Sequence, residues 1–237
     1  MTVNSPKLTL WLQIKVVWSI YTEEKIICDC VRDETVTRRC IYKRRLWRLW
    51  FFVITYAWYA FGVTGGDSFE TLFLISYPMC FTPGLVGLQN GIASSIVIFG
   101  PVIMKFCESV LGLKNQSLLL LTICTRVSST LLMGLAESPL LIFLATSLGV
   151  LYDFTYPMIR SQISLLVSSS EQGSALALLS GIEGAFNIFS SILFLYIYPQ
   201  TLYISHGFLW IVESVILCIP LSLMIAKEKS IVDRRTG

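Results

Sequence analysis

Between Leu46 and Ala226 the chain consists of apolar runs of about 20 residues, separated by short polar or Gly/Pro-containing breaks. A helix needs about 20 mostly apolar residues to cross a ~30 Å hydrocarbon layer, and a run of that length is too long for the core of a small globular domain. Across all 237 residues, 54% are hydrophobic and only 14% are charged, against about 25% charged in an average soluble domain. An ordinary soluble enzyme, a disordered chain and a nucleic-acid-binding module are all excluded. The expected fold is an all-α membrane protein.

Six spans are expected: Leu46 to about Thr64, Leu85–Met104, Gln116–Ala136, Leu140–Ile159, Gly173–Tyr198 and Ser205–Ala226. The break Gly65-Gly66-Asp67-Ser68-Phe69-Glu70 reads as the outer end of the first span, followed by an outer extension of the first helix to about Met79. Pro78, Pro83 and Gly84 mark the turn. Residues 1–45 then form an arm, 46–226 a six-helix bundle and 227–237 a tail.

Charge segregation orients the bundle. With six spans, the segments 1–48, 105–115, 160–171 and 227–237 share one side and carry 17 of the 18 Lys/Arg. The opposite loops carry none, and Arg126 lies inside the third span. Basic residues remain cytoplasmic, so both termini are expected inside. The run Arg38-Arg39, Lys43-Arg44-Arg45 and Arg48 reads as a topogenic, lipid-facing cluster, not as a nucleic-acid site. Met1–Lys7 is polar, and Leu8–Ile20 is interrupted by Lys15, so no cleavable leader is expected. With Trp11 and Trp18, that stretch is either an interfacial helix or a plain loop.

Cysteine usage points to neither a disulfide framework nor a metal. Cys28, Cys30 and Cys40 lie in the cytoplasmic arm and lack a fourth ligand or a nearby His. Cys80 has no expected partner on the outer side. The sequon Asn115-Gln116-Ser117 faces inward and should be unused. The single His, His206, reads as interfacial. With no phosphate loop, acid–base pair or cofactor motif, the chain is not expected to be an enzyme or to carry a cofactor.

Function must then lie in the polar residues within the spans. Arg126, Glu183 and Glu213 fall near span centres, where a charge costs roughly 2.5–3.5 kcal/mol unless it is paired or faces water. Arg126 is expected to pair with Glu183 or Glu213, either lining a solute or proton pathway or forming a structural clamp. An unpaired, cavity-facing Glu183 or Glu213 is a candidate proton carrier. In the fifth span, Gly173, Ala177, Gly181 and Ala185 repeat every four residues and predict close packing against another helix. Ser180, Glu183, Asn187, Ser190 and Ser191 make a polar stripe, and Leu178, Leu179, Ile182, Phe186, Phe189 and Leu193 a greasy one expected to face lipid.

One stretch is more specific. Pro157-x-x-Arg160-Ser161-x-x-Ser164-x-x-Val167, followed by Glu171-Gln172-Gly173, resembles the loop between helices ten and eleven of major facilitator superfamily transporters. The Arg-Ser form is similar to the proton-coupled folate transporter family, solute carrier family 46. Tyr77-Pro78-Met79-Cys80 with Leu85-x-Gly87, and Tyr198-Pro199-x-Thr201-Leu202, carry the resemblance further.

The resemblance implies that the chain is the C-terminal half, helices seven to twelve, of a twelve-helix symporter that works by alternating access. Its partners would be the lipid bilayer, protons, a small organic solute with anions among the options, and a missing N-terminal six-helix half or another half-transporter. An incomplete gene product is favoured over a true half-protein. Arg160 matches the family arginine at the end of helix ten, a candidate for substrate binding or gating; a clamp to Asp153 or Glu171 is its structural alternative. The family has a proton-sensitive histidine in the region of helices seven and eight; residues 46–104 hold no His, a departure that bears on folate as substrate and on the family's coupling scheme. The family default is the plasma membrane, with the lysosomal membrane as the other option. The competing function is a non-transporting scaffold or regulatory partner.

Overall fold

The computed structural model describes residues 45–112, 115–167, 171–203 and 205–236. The arm with its cysteines, the Leu8–Ile20 stretch and most of the basic run lie outside the described residues. Helix α1 is Arg45–Ile75, α2 Pro83–Leu111 and α3 Asn115–Gly134. Then come α4 (Pro139–Leu148), a 3-10 helix (Gly149–Phe154), α5 (Thr155–Ser164), α6 (Gln172–Thr201) and α7 (Phe208–Thr236). The described residues contain no strand, and the chain is an all-α membrane protein.

Five helical segments are long and apolar enough to cross a bilayer: Trp47–Ile75, Asn115–Gly134, Pro139–Ser164, Gln172–Thr201 and Phe208–Glu228. A sixth is α2, if its halves Pro83–Ser95 and Ile98–Val110, bent by 41°, count as one span. The bend falls just before Pro101. A proline ring removes an N–H and crowds the carbonyl one turn earlier, which is the usual cause of such a kink.

The first boundary differs from expectation. Gly65–Glu70 is not an outer break, because α1 runs unbroken for 31 residues, about 46 Å at 1.5 Å per residue. Two mid-helix glycines cost roughly 1 kcal/mol each relative to Ala. Close packing accounts for them here. A Cβ on Gly65 would meet the Phe194 ring at 2.7 Å, and one on Gly66 would collide with the Glu213 carboxylate. The chain turns only at Ser76–Thr82, and Pro83 opens α2 at a position where its missing N–H is harmless. Likewise α5 continues to Ser164, which puts Arg160 within a helix and not in a loop.

Helix α1 packs against α6 and α7, and α3 against α7, α4 and the 3-10 segment. Two apolar clusters stack along this frame. One, at the end where α1 starts, holds Tyr56, Tyr59, Ile123, Ile163, Leu179 and Leu217. The other, at the opposite end, holds Phe69, Phe73, Ile142, Phe194, Tyr198 and Trp210. Along α1, Asp67 falls between the two clusters; along α7, Glu213 does; along α3, Arg126 lies beside Val127, the last residue there of the first cluster. A polar layer therefore separates two apolar ones.

Helix α6 is rotated from the expected orientation. Leu179 is fully buried, and Leu178, Ile182 and Leu193 pack on the apolar clusters. Phe186 sets its ring 5.9 Å from that of Phe61, and of the greasy stripe Phe189 is the one left largely exposed. Gly173, Ala177, Gly181 and Ala185 face outward, and a Cβ on Gly173 or Gly181 would meet nothing within 4 Å. Among the described residues nothing packs closely on Gly173 or Gly181 of this stripe. Burying Leu and Phe removes far more apolar area than burying Gly and Ala, while Gly62, Gly65 and Gly66 of α1 provide the close approach instead.

Candidate functional site

Arg126 organises the polar layer. Its Nε and Nη2 donate to Glu213 Oε1 at 3.2 and 2.9 Å, and Nη2 also donates to Asp67 Oδ1 at 3.1 Å. The Arg126 side chain is 6% exposed and that of Glu213 0%, while Asp67 is half exposed. The guanidinium carbon lies 4.4 Å from the Tyr152 ring centroid, a cation–π contact. Thr130 and Ser129, on the same helix face as Arg126, turn their hydroxyls to backbone carbonyls. Ser129 Oγ donates to Ala145 O at 2.8 Å, joining α3 to α4.

A cavity of about 160 Å³ opens beside this pair, lined by Asp67, Glu70, Asn90, Arg126, Tyr152 and Asp153 among others. Gln89, itself 1% exposed, donates from Nε2 to Glu70 Oε1 at 2.7 Å. The wall that carries Tyr152 and Asp153 is the 3-10 segment in the middle of the fourth span. Tighter winding there brings Gly149 so close to α3 that a Cβ would sit 3.0 Å from Ser129 Oγ. Such mid-helix 3-10 stretches often mark functional hinges. Among the described residues, the buried atoms Glu213 Oε2, Gln89 Oε1 and Trp210 Nε1 of the layer find no hydrogen-bond partner.

A second charged group sits one layer nearer the start of α1. Arg160 Nη2 donates to Glu183 Oε2 at 2.5 Å, and the Tyr56 hydroxyl donates to the same oxygen at 2.5 Å. Arg160 Nε and Nη2 also reach Tyr56 Oη at 3.1 and 2.9 Å. The cluster ties α5, α6 and α1 together, yet the Arg160 and Glu183 side chains remain 37% and 33% exposed.

Tyrosines connect the two groups. Tyr156 meets Tyr56 and Tyr59 edge-on, with centroids 5.5 and 5.2 Å apart, and the Tyr59 hydroxyl donates to Tyr152 O at 2.9 Å. The ladder thus runs from Arg160 and Glu183 to the residue stacked on Arg126.

Of the residues singled out from the sequence, Arg126 and Glu213 come together, and so do Arg160 and Glu183. Of the two partners expected for Arg126, the structure selects Glu213. Glu183 is bound to Arg160 instead, because the rotation of α6 turns it toward α5. For the same reason Arg160 clamps to Glu183 and not to Asp153 or Glu171. Asn187 is exposed and joins neither group; it accepts a long 3.4 Å bond from Ser191 Oγ. Ser190 and Ser191 instead bond Thr64 and Ser68 of α1 at 2.7 and 2.6 Å. His206 stacks edge-on with Tyr77, at a loop end. Among the described residues, no group of three His, Cys, Asp or Glu is placed to hold a metal ion.

Sequence reasoning missed Asp67, Glu70 and the ladder. The available signal was helical spacing. Asp67 and Glu70 are three apart, Tyr56 and Tyr59 three apart, and Tyr152 and Tyr156 four apart, so each pair shares a helix face. Treating Gly65-Gly66 as a break hid the first pair.

The chain is similar to transporters of solute carrier family 46. It is 26% identical over 169 residues to the lysosomal proton-coupled steroid conjugate and bile acid symporter SLC46A3 of Gallus gallus, covering 70% of this chain and 35% of that one. To the proton-coupled folate transporter of Rattus norvegicus it is 26% identical over 168 residues, 70% of this chain and 36% of the relative. A shorter match, 33% over 90 residues, covers 38% of this chain and 17% of the probable peptidoglycan muropeptide transporter SLC46 of Drosophila melanogaster. No family model matches the chain. The first two matches cover a little over a third of the length of those relatives. These relatives are carriers, not enzymes, and the resemblance to the C-terminal half of such a carrier covers about 70% of this chain.

Proposed function

We propose that this chain forms the C-terminal half of a secondary transporter that moves a small organic solute by alternating access, coupled to protons. Both ends lie in the cytoplasm in this reading, and another six-helix unit completes the solute path. The observation that carries it is the charge balance of the polar layer. Asp67, Glu70 and Asp153 share one cavity with Arg126, and Glu213 is bonded to the same guanidinium. Four carboxyl groups thus share one positive charge in a layer where unbalanced charge is costly. A proton can enter or leave such a set at small cost and shift the pairing of Arg126 between Glu213 and Asp67. The 3-10 segment and the tyrosine ladder are the mechanical link from that exchange to the partly exposed Arg160–Glu183 pair, the group placed to meet an anionic solute or a gate. The outward stripe Gly173, Ala177, Gly181 and Ala185 of α6 is the face that would receive the second unit.

Uptake of radiolabelled folate, a bile acid conjugate and a muropeptide into proteoliposomes tests this reading. The chain would be reconstituted alone and together with the N-terminal half of the rat folate transporter, at external pH 5.5 and 7.4. Acid-stimulated uptake that requires both halves and is lost in Arg126→Ala supports it. No uptake under any condition, with the chain still co-purifying with a complete transporter, overturns it in favour of a scaffold or regulatory partner.

A further inference from the structure

A groove of about 490 Å³ lies at the helix ends where α1 begins and α7 runs out of the bundle, apart from the Arg126 cavity. Its apolar walls come from Phe51 and Phe52 of α1, Leu165 and Leu166 after α5, and Leu223 of α7. Two cations line it, Arg48 and Lys227. The Lys227 ammonium sits 3.6 Å from the Phe52 ring centroid and 5.1 Å from that of Phe51. Among the described residues no carboxylate pairs with either cation. The neighbouring Glu228 is engaged elsewhere, accepting from Ser117 Oγ at 2.8 Å. Trp47 and Leu165, each 74% exposed, flank the opening.

Two like charges with no counter-charge among the described residues, set in an aromatic and aliphatic cleft, call for an anion that carries its own hydrocarbon. A water-soluble anion would satisfy the cations and leave Phe51, Leu165 and Leu223 wet; a zwitterionic lipid would cover the walls but bring its own cation beside Arg48 and Lys227, with no net charge to balance them. The sequence adds position. This is the end where the chain's Lys/Arg gather, and anionic lipids concentrate in the leaflet that faces basic segments. Tryptophan at the mouth fits the headgroup level.

We infer that this groove holds one anionic phospholipid, with its phosphate between Arg48 and Lys227 and an acyl chain along Phe51, Leu165 and Leu223. The lipid bridges α1 to α7 at the open end of the bundle. The inference does not depend on transport.

Native mass spectrometry of the full chain, titrated with phosphatidylserine or phosphatidylcholine of the same acyl composition, tests it. A cation near a headgroup contributes about fivefold in affinity. With two cations, retention of phosphatidylserine should therefore exceed that of phosphatidylcholine by about 25-fold at low salt, and the excess should shrink in high salt. Arg48→Gln with Lys227→Gln should bring the two lipids level, while Arg48→Lys with Lys227→Arg keeps the preference. Should the glutamine variant not fold, the salt dependence and the charge-retaining variant decide the matter. Equal retention of the two lipids by the unmodified chain overturns the inference. So does a preference that survives the glutamine pair, equal binding of water-soluble glycerophosphoserine, or photo-crosslinking from position 165 to residues 1–44 of the chain instead of to lipid.

Discussion

Glu213 Oε2 lies against the bare Cα of Gly66, in space that a single methyl group on residue 66 would take. The carboxylate that anchors Arg126 is therefore held in place by the absence of a side chain on the facing helix. It reaches the guanidinium with one oxygen and leaves the other without a donor.

Gly66→Ala should therefore push Glu213 off Arg126. Overpacking a tight site costs about 1–3 kcal/mol, and the broken ion pair adds to that. Thermal unfolding in detergent should show a marked loss of stability. Gly181→Ala is the control, because its Cβ would enter open space. It should stabilise the isolated chain, by up to about 1 kcal/mol, and be harmful only when a second six-helix unit is present.

The Arg126–Glu213 pair should behave as a buried pair. Arg126→Ala alone should cost about 3–5 kcal/mol, because it leaves an uncompensated carboxylate. Adding Glu213→Ala should restore part of that stability. A double-mutant cycle measured by denaturation would read a coupling of well over 1 kcal/mol. Additive losses would mean the pair does not form.

The proton reading predicts a changed pH profile. Glu213→Gln keeps the shape and removes the titrating group. In the reconstituted two-half carrier it should flatten the ratio of uptake at pH 5.5 to that at pH 7.4. Asp67→Asn and Glu70→Gln should each alter the ratio less. Unchanged ratios in all three would end the assignment of coupling to this layer.

The Arg160 cluster should separate stability from transport. Its ion pair is about a third exposed on each side, so Arg160→Ala should cost less stability than Arg126→Ala does. The same change should cut uptake severely, mainly through kcat if Arg160 gates and through KM if it holds the solute. Tyr56→Phe, which removes a bond to Glu183 without removing charge, should show a milder form of the same effect.

Much of this was legible in the sequence. Long apolar runs dictate spanning helices in any context, because lipid offers no partner for a bare backbone. That argument located six apolar segments and showed that Arg126, Glu183 and Glu213 needed partners. The motif around Pro157–Val167 pointed to the right family of relatives. The helix limits were less secure. Gly65-Gly66 looked like punctuation because a glycine pair weakens an isolated helix, and only the Phe194 ring and the Glu213 carboxylate opposite show why the helix continues.

What the sequence alone determined was the number of apolar segments, the end of the bundle where charge collects, and the fact that buried ions must meet. Which ions meet was decided only by the tertiary structure. The rotation of α6 about its axis turned Leu179 inward, the small residues outward and Glu183 toward Arg160, and this left Arg126 to Glu213 and Asp67. A helix's rotation depends on the summed burial of all its side chains against neighbours remote in sequence. No local pattern within α6 contains that sum.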